Sequence, residues 1–183
     1  MIFADPPPVA QDTLTPGLAD APYRNLKPYP VPDGLGRNIR SARILQCAYS
    51  AGSSELTSIH QYIYHSITAE QESPELSHTL KGIALVELHH LHLLGQCIMQ
   101  LGLLPTFGYY QGTRRARWNS GFVQYARNPK GVIGLCIQTE LQAVEYYRSA
   151  IERIADEQVA ALLYRIIEDE EEHIRILENL LEK

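Results

Sequence analysis

Apolar residues recur at steps of three and four through four stretches of this chain, and each stretch is bounded by helix start or stop signals. The first stretch predicts a helix from Ile39 or Ala42 to Ala69. Its inward stripe carries Ala48, Ala51 or Gly52, Glu55, Ile59 and Tyr62. Ser73-Pro74-Glu75 predicts the start of the second: a cap, a proline in the first turn and an acid near the positive helix end. That helix runs to about Leu101 and stops at Gly102 and Pro105. Asn128-Pro129 is the same start signal for a third helix reaching about Ile154, and Asp156 caps a fourth that runs nearly to the C-terminus. Residues 1–38 lack the helical period and are rich in proline, glycine and tyrosine. They predict an extended arm, residues 1–38, preceding a helical unit, residues 39–183. The arm is either a tail without fixed structure or a segment packed across a bundle or a neighbouring subunit. Tyr23, Leu26, Tyr29 and Val31 supply anchors for the second option.

Loop lengths set the expected topology. Only a few residues join the first helix to the second, or the third to the fourth, and such links make antiparallel neighbours. Roughly 25 residues separate the second helix from the third, long for a bundle connection and enough to run its full height. This crossover contains Tyr109, Tyr110, Trp118, Phe122 and Tyr125, which predicts a packed segment with a short helix near Trp118 to Ala126.

The polar residues inside these apolar stretches are not scattered. Glu87 and His90 form an E-x-x-H motif, and Glu170 and His173 form a second. A lone glutamate, Glu55 or Glu140, precedes each by about thirty residues. Residues at i and i+3 share a helix face, so each motif aims a carboxylate and an imidazole at one point. The repeat extends further: ELTSIHQY from Glu55 aligns with ELQAVEYY from Glu140, and ELHHLHLL from Glu87 with EEEHIRIL from Glu170. Two copies of one helical hairpin are expected to build a pseudo-two-fold bundle with a site on its axis. Four glutamates and two histidines are the ligand set of a dinuclear metal site in such a bundle.

The ordinary reading of a helical glutamate is a solvated face, and Glu168, Glu171, Glu172, Glu178 and Glu182 need no other. Glu87 and Glu140 differ because ALV and GLCIQT leave them little polar surface. An ionised carboxylate buried without a partner is costly. Tyr62 and Tyr147 follow their glutamates by two helical turns on the same face. They are expected to donate hydrogen bonds to ligands or relay electrons, or simply to fill the core. His89 and His92 fall off the Glu87–His90 face, His60 and Glu145 rotate away from the centre, and His65 and His78 are expected at the surface.

Bulk properties narrow the field. The 183 residues suffice for one domain with a substantial core, and 45% hydrophobic and 20% charged residues are an ordinary soluble balance. A formal net charge of −5, with Arg114, Arg115 and Arg117 as the one basic cluster, argues against a nucleic-acid partner. Cys47, Cys97 and Cys136 form no C-x-x-C and so neither a zinc ribbon nor a rubredoxin-type iron site; isolated thiols suit a reducing compartment. No secretion signal opens the sequence, so a cytoplasmic location is expected. The apolar run around Glu87 is read as a buried bundle helix, not a membrane span, because charges at its middle would be costly in lipid.

These motifs resemble the ferritin-like superfamily, specifically rubrerythrin-type and manganese-catalase-type bundles, over about residues 42–183. The resemblance rests on ELTSIHQYIYH, VELHHLHLL followed by LGLLPTF, IQTELQAVEYY and LLYRIIEDEEEHIRIL. It implies an all-α, antiparallel four-helix bundle with a long crossover between helices 2 and 3. It also implies two iron or manganese ions per chain. Glu55 with His90 and Glu140 with His173 would be the terminal sets, and Glu87 and Glu170 the bridges. The chain departs from rubrerythrins in lacking a rubredoxin domain and in having Ala143 where a second glutamate follows the helix-3 ligand. Manganese catalases are usually longer beyond helix 4, and ferritin cages generally carry a short fifth helix. The implied activity is a catalase- or peroxidase-type oxidoreductase acting on hydrogen peroxide or dioxygen, in a homo-oligomer, with an electron donor the sequence does not name. The alternatives are a ferroxidase or iron-storage protein, and a coat- or scaffold-type protein with a residual metal site.

Overall fold

A computed structural model describes residues 23–182. It contains five α-helices, α1 (Ile39–Ser50), α2 (Glu55–Ala69), α3 (Pro74–Gln100), α4 (Pro129–Ile151) and α5 (Glu157–Leu181). A small hairpin of β1 (Gly108–Gln111) and β2 (Arg114–Arg117) and a 3-10 turn, Ser120–Phe122, lie between α3 and α4. α2 packs on α3 and α4 on α5, and α2 and α4, like α3 and α5, also meet. The result is a four-helix bundle in which neighbours are antiparallel and one long crossover links two hairpins, the ferritin-like arrangement.

The first helix differs from expectation. The segment 39–69 is not continuous but breaks at Ala51–Ser54. Ala51 adopts an extended conformation and closes α1, while Ser54, at φ −154 and ψ 162, caps α2 by accepting from the Thr57 N–H. The hydroxyls of Ser54 and Thr57 both donate to the Ala51 carbonyl, at 2.7 and 2.9 Å. Serine and threonine side chains thus outcompete the helical ladder, as they tend to do in runs such as AGSS. Glu55 therefore begins a helix, where the positive end of the dipole favours a carboxylate.

The crossover is packed as expected, but by a hairpin and a 3-10 turn where a short helix was predicted. β1 and β2 pair antiparallel with Gln111 opposite Arg114, and Gly112 supplies the positive φ, 61°, that so tight a turn requires. The Ser50 hydroxyl donates to the Gly108 carbonyl at 2.9 Å, and the Trp118 indole N–H to Thr57 Oγ1 at 2.9 Å. The crossover is thereby fastened over the helix break.

Two apolar clusters form the core. One gathers Leu45, Leu94, Ile98, Leu162, Leu163 and Ile166, and the other Leu76, Leu80, Ile83, Val132, Ile133 and Leu177. Along α3, α4 and α5, the clusters lie on opposite sides of Glu87, Glu140 and Glu170 in sequence. A polar layer therefore crosses the bundle between two dry ends.

Of the anticipated arm, residues 1–22 lie outside the described residues. Tyr23 lies against Gly82, and Tyr29 is packed beside His89 and His90, whereas Leu26 and Val31 are exposed. No helix among the described residues is long and apolar enough to cross a membrane.

Asp156 caps α5 by accepting from the N–H groups of Gln158 and Val159, at 3.0 and 3.1 Å. Asp156→Ala is expected to cost about 1 kcal/mol, seen as a fall in Tm of roughly 2–4 °C in thermal unfolding.

Candidate metal centre

Each of the four bundle helices contributes to the polar layer from a position the sequence marks. Glu55 comes from the first turn of α2, Glu87 and His90 from one face of α3, Glu140 from mid-α4, and Glu170 and His173 from one face of α5. All six side chains are buried, none more than 3% exposed. Their ligand atoms form two overlapping groups: Glu55, Glu87, His90 and Glu170 in one, and Glu87, Glu140, Glu170 and His173 in the other. Within each group the atoms lie within 4.8 Å of one another, and Glu87 and Glu170 belong to both. All six predicted residues are thus brought together, two of them shared.

The unsatisfied atoms test whether such a pocket fits a cation. Glu87 Oε1, Glu140 Oε2, Glu170 Oε1 and His90 Nδ1 are buried and have no hydrogen-bond partner. Buried polar atoms are rarely left so, and here they converge. His90 Nδ1 lies 3.3 Å from Glu170 Oε1, and His173 Nδ1 lies 3.1 Å from Glu87 Oε1 and 3.5 Å from Glu140 Oε1. Carboxylate oxygens and imidazole nitrogens in this mixture suit iron or manganese, and each cluster can hold one ion.

Burial and crowding control the protons of the layer. Burial, followed by the charges of Glu87 and Glu170, pushes the Glu140 carboxyl up to about 8. The same causes raise Glu55 well above the usual range. Burial acts the same way on Glu87 but is outweighed by the neighbouring Glu55 carboxyl and the His173 and His90 imidazoles, so it is held well below that range. Burial lowers both histidines, but the surrounding carboxylates prevail and raise them. Glu55 and Glu140 thus hold their protons more tightly than Glu87 does, the ordinary response of converging like charges.

The tyrosines pair across the repeat. Tyr62, on α2, donates to Glu140 Oε1, and Tyr147, on α4, donates to Glu55 Oε1. Tyr62 lies in one apolar cluster and Tyr147 in the other, so the phenols close the layer from opposite ends.

Several histidines fall where the sequence placed them. His89 is buried against the Tyr29 ring, with centroids 4.7 Å apart, while His60, His78 and His92 are exposed. His65 is a correction. It is fully buried, not at the surface, with Nε2 3.1 Å from the Gln124 carbonyl. The aromatic crossover covers the face of α2 that bears it.

Sequence reasoning missed Asp169. It is fully buried and lies 3.0 Å from His90 Nε2, an arrangement that directs the Nδ1 lone pair of His90 into the layer. Burial alone would raise its carboxyl, but hydrogen bonds from His90, Tyr29 and Arg165 hold it far below the usual range. Asp169 was hidden in the acidic run EDEEEH, where it reads as one more solvated charge. The available signal was periodicity, since Asp169 follows the buried Arg165 by one helical turn.

The fold has counterparts among known proteins. A family model described as a ferritin-like domain matches residues 51–183. No curated protein matches the chain significantly. Among solved structures, KatB, a manganese catalase from Anabaena, superposes with a TM-score of 0.75 at 22% identity, over 85% of this chain and 78% of that one. The bacterioferritin BfrA of Mycobacterium tuberculosis gives a TM-score of 0.67 at 26% identity, over 81% and 87%. Rhodobacter capsulatus bacterioferritin gives 0.68 at 20%, over the same shares. With four antiparallel helices, a long crossover and a buried glutamate–histidine layer between two cores, the chain belongs to the ferritin-like domain family.

Proposed function

We propose that this chain is an oxidoreductase that acts on hydrogen peroxide or dioxygen with a pair of iron or manganese ions. The observation that carries this reading is the pair of overlapping buried ligand sets sharing Glu87 and Glu170. Such ions, when bound, supply reversible one-electron changes, and so a two-electron exchange with peroxide or dioxygen. Glu87 and Glu170, common to both ligand sets, would be shared by the two ions; Glu55 and His90 would hold one of them, and Glu140 and His173 the other. Tyr62 and Tyr147 each hold a phenolic proton against a terminal carboxylate, where it can be passed to Oε1 as that carboxylate changes charge. The two apolar clusters exclude water from both ends of the layer.

Substrate size is consistent with this reading. A pocket of about 10 Å³ is lined by Ser53, Ser54, Ser58, Glu55, Ala143 and Tyr147. That is room for roughly one water-sized molecule beside Glu55 and Tyr147, in keeping with a small substrate. A larger cavity of about 230 Å³, lined by Tyr64, Thr68, Arg127 and Val132 among others, includes none of the six candidate ligands. Exposed Ile63 and Ile67 on α2, with Leu85 and Leu88 on α3, support self-assembly.

The likeness to bacterioferritins favours a second reading, in which the same centre oxidises ferrous ion for storage. Particle size separates the two, because storage needs a hollow shell. A peroxide assay on metal-loaded protein tests the first. Oxygen release without reductant marks a catalase, peroxide loss only with reductant marks a peroxidase, and no turnover under either condition counts against both.

Glu87→Ala and Glu170→Ala are expected to abolish binding of both ions. Glu55→Ala and Glu140→Ala should leave a partly loaded site. Elemental analysis reads the difference, and two ions retained in Glu87→Ala would refute the bridging assignment.

The raised Glu140 carboxyl sets a pH dependence for the metal-free protein. A carboxyl that holds its proton more tightly when folded contributes stability that is complete below its ordinary pKa of about 4.5 and lost as pH rises through about 8. The Tm of metal-free protein should therefore fall between these values. Metal-free Glu140→Gln should lose part of that slope and be several degrees more stable than the parent near pH 8, while failing to load fully. Parallel Tm curves against pH for the two proteins would contradict this.

A further inference from the structure

We propose that the extended segment preceding α1 is part of the centre: Asn25, Tyr29 and Arg165 are positioning residues that fix Asp169, and through it His90, so that docking of the segment strengthens the hold on one of the two ions. The inference rests on the reading of the polar layer as a dinuclear metal centre.

Asp169 is one point at which the internal repeat breaks, since Val86 precedes Glu87 in the first copy where Asp169 precedes Glu170 in the second. Its carboxylate is surrounded on all sides. The Asn25 N–H donates to Oδ1 at 2.7 Å, and Arg165 Nη1 forms an ion pair with the same oxygen at 2.7 Å. The Tyr29 hydroxyl donates to Oδ2 at 2.6 Å, and His90 Nε2 lies 3.0 Å from that oxygen. Two of these four partners belong to the segment.

A third partner depends on it. Arg165 is 4% exposed, and its remaining donors reach the segment's backbone: Nε to the Lys27 carbonyl at 2.9 Å and Nη2 to the Asn25 carbonyl at 2.5 Å. Its guanidinium lies 4.2 Å from the centroid of the Tyr29 ring. A buried cation needs such acceptors. If the segment lifts away, Asp169 loses two partners, Arg165 loses both carbonyls, and the carboxylate is no longer held at the angle that aims His90 Nδ1 into the layer.

The effect should fall on one side only. Among the described residues His173 has no outer partner at Nε2, so no counterpart of the Asp169 link joins the segment to His173. Loss of a partner that orients a ligating histidine typically weakens metal binding roughly 10- to 100-fold. Linkage makes the coupling reciprocal, so an ion on the His90 side must favour the docked segment by the same factor. Further along, the backbone of Asp33 pairs with Gln158, and the Leu35 N–H and Pro32 carbonyl pair with Gln100. Those contacts do not involve Asp169. Metal-dependent docking should therefore be confined to about Arg24–Tyr29.

The test uses the full chain loaded with manganous ion. Metal content is measured first, and a parent holding fewer than two ions per chain overturns the metal reading and this inference together. With two ions present, chelator-driven release is followed in the parent, in Tyr29→Leu, which removes ring and hydroxyl, and in Tyr29→Phe, which keeps the ring over Arg165. The expected result is one ion leaving roughly 10- to 100-fold faster in Tyr29→Leu and the other at the parental rate. The same ion should be affected less in Tyr29→Phe. Leu26→Ala, at an exposed position of the same segment, should match the parent. In the parent, hydrogen exchange at the Asn25 amide should slow by a similar factor on loading. Release of both ions at parental rates, equal acceleration of both, or Asn25 exchange indifferent to metal would each overturn the inference while leaving the metal reading intact.

Discussion

The structure is organised around the cost of placing four carboxylates in one dry layer. Glu55, Glu87, Glu140 and Glu170 are each no more than 3% exposed, and they converge. Without compensation such a cluster opposes folding, because burial and mutual repulsion both disfavour the charged state. Most features of the bundle lower that cost. Two imidazoles and two phenols enter the layer, protons are shared among the acids, and an apolar cluster on each side supplies the favourable burial that keeps the helices together. A divalent cation pair would replace those protons and supply the missing partners of the orphaned oxygens. The layer is better suited to binding than to stability, as functional sites often are.

The two-fold repeat explains the centre, and its imperfections explain what surrounds it. Tyr62 and Tyr147 are related by the repeat, and each closes the layer on the opposite lone glutamate. The outer shell follows no such symmetry. Asp169 stands where the first copy has Val86, and α1–α2 is broken where α4 is continuous. The break puts Glu55 at a helix start beside three serines and the narrow pocket, while Asp169 ties His90 to the N-terminal segment. Two nearly equivalent sets of ligand atoms thus have different neighbours, the pocket and the segment both lying on the side of Glu55 and His90.

Much of this was legible in the sequence because it depends on local periodicity. Residues at i and i+3 must share a helix face, so E-x-x-H announced its own geometry, and the duplication of a whole hairpin supplied the remaining two glutamates. Caps such as Ser73-Pro74 and Asp156 marked helix ends to within a few residues. Short and long connections then left one economical topology. What sequence could not decide depends on competition or on distance. Whether AGSS continues a helix or breaks it turns on side-chain hydroxyls that also bond the crossover, and the crossover is placed by tertiary packing. Whether an acid in EDEEEH is solvated or buried depends on what lies over its face. Asp169 is buried because a segment about 140 residues earlier in the chain covers it, and its partners Asn25 and Tyr29 carry no local signal of that contact. The ligands were determined by the helical repeat; their outer partners were decided only by the fold, because only folding brings such distant residues within reach of one carboxylate.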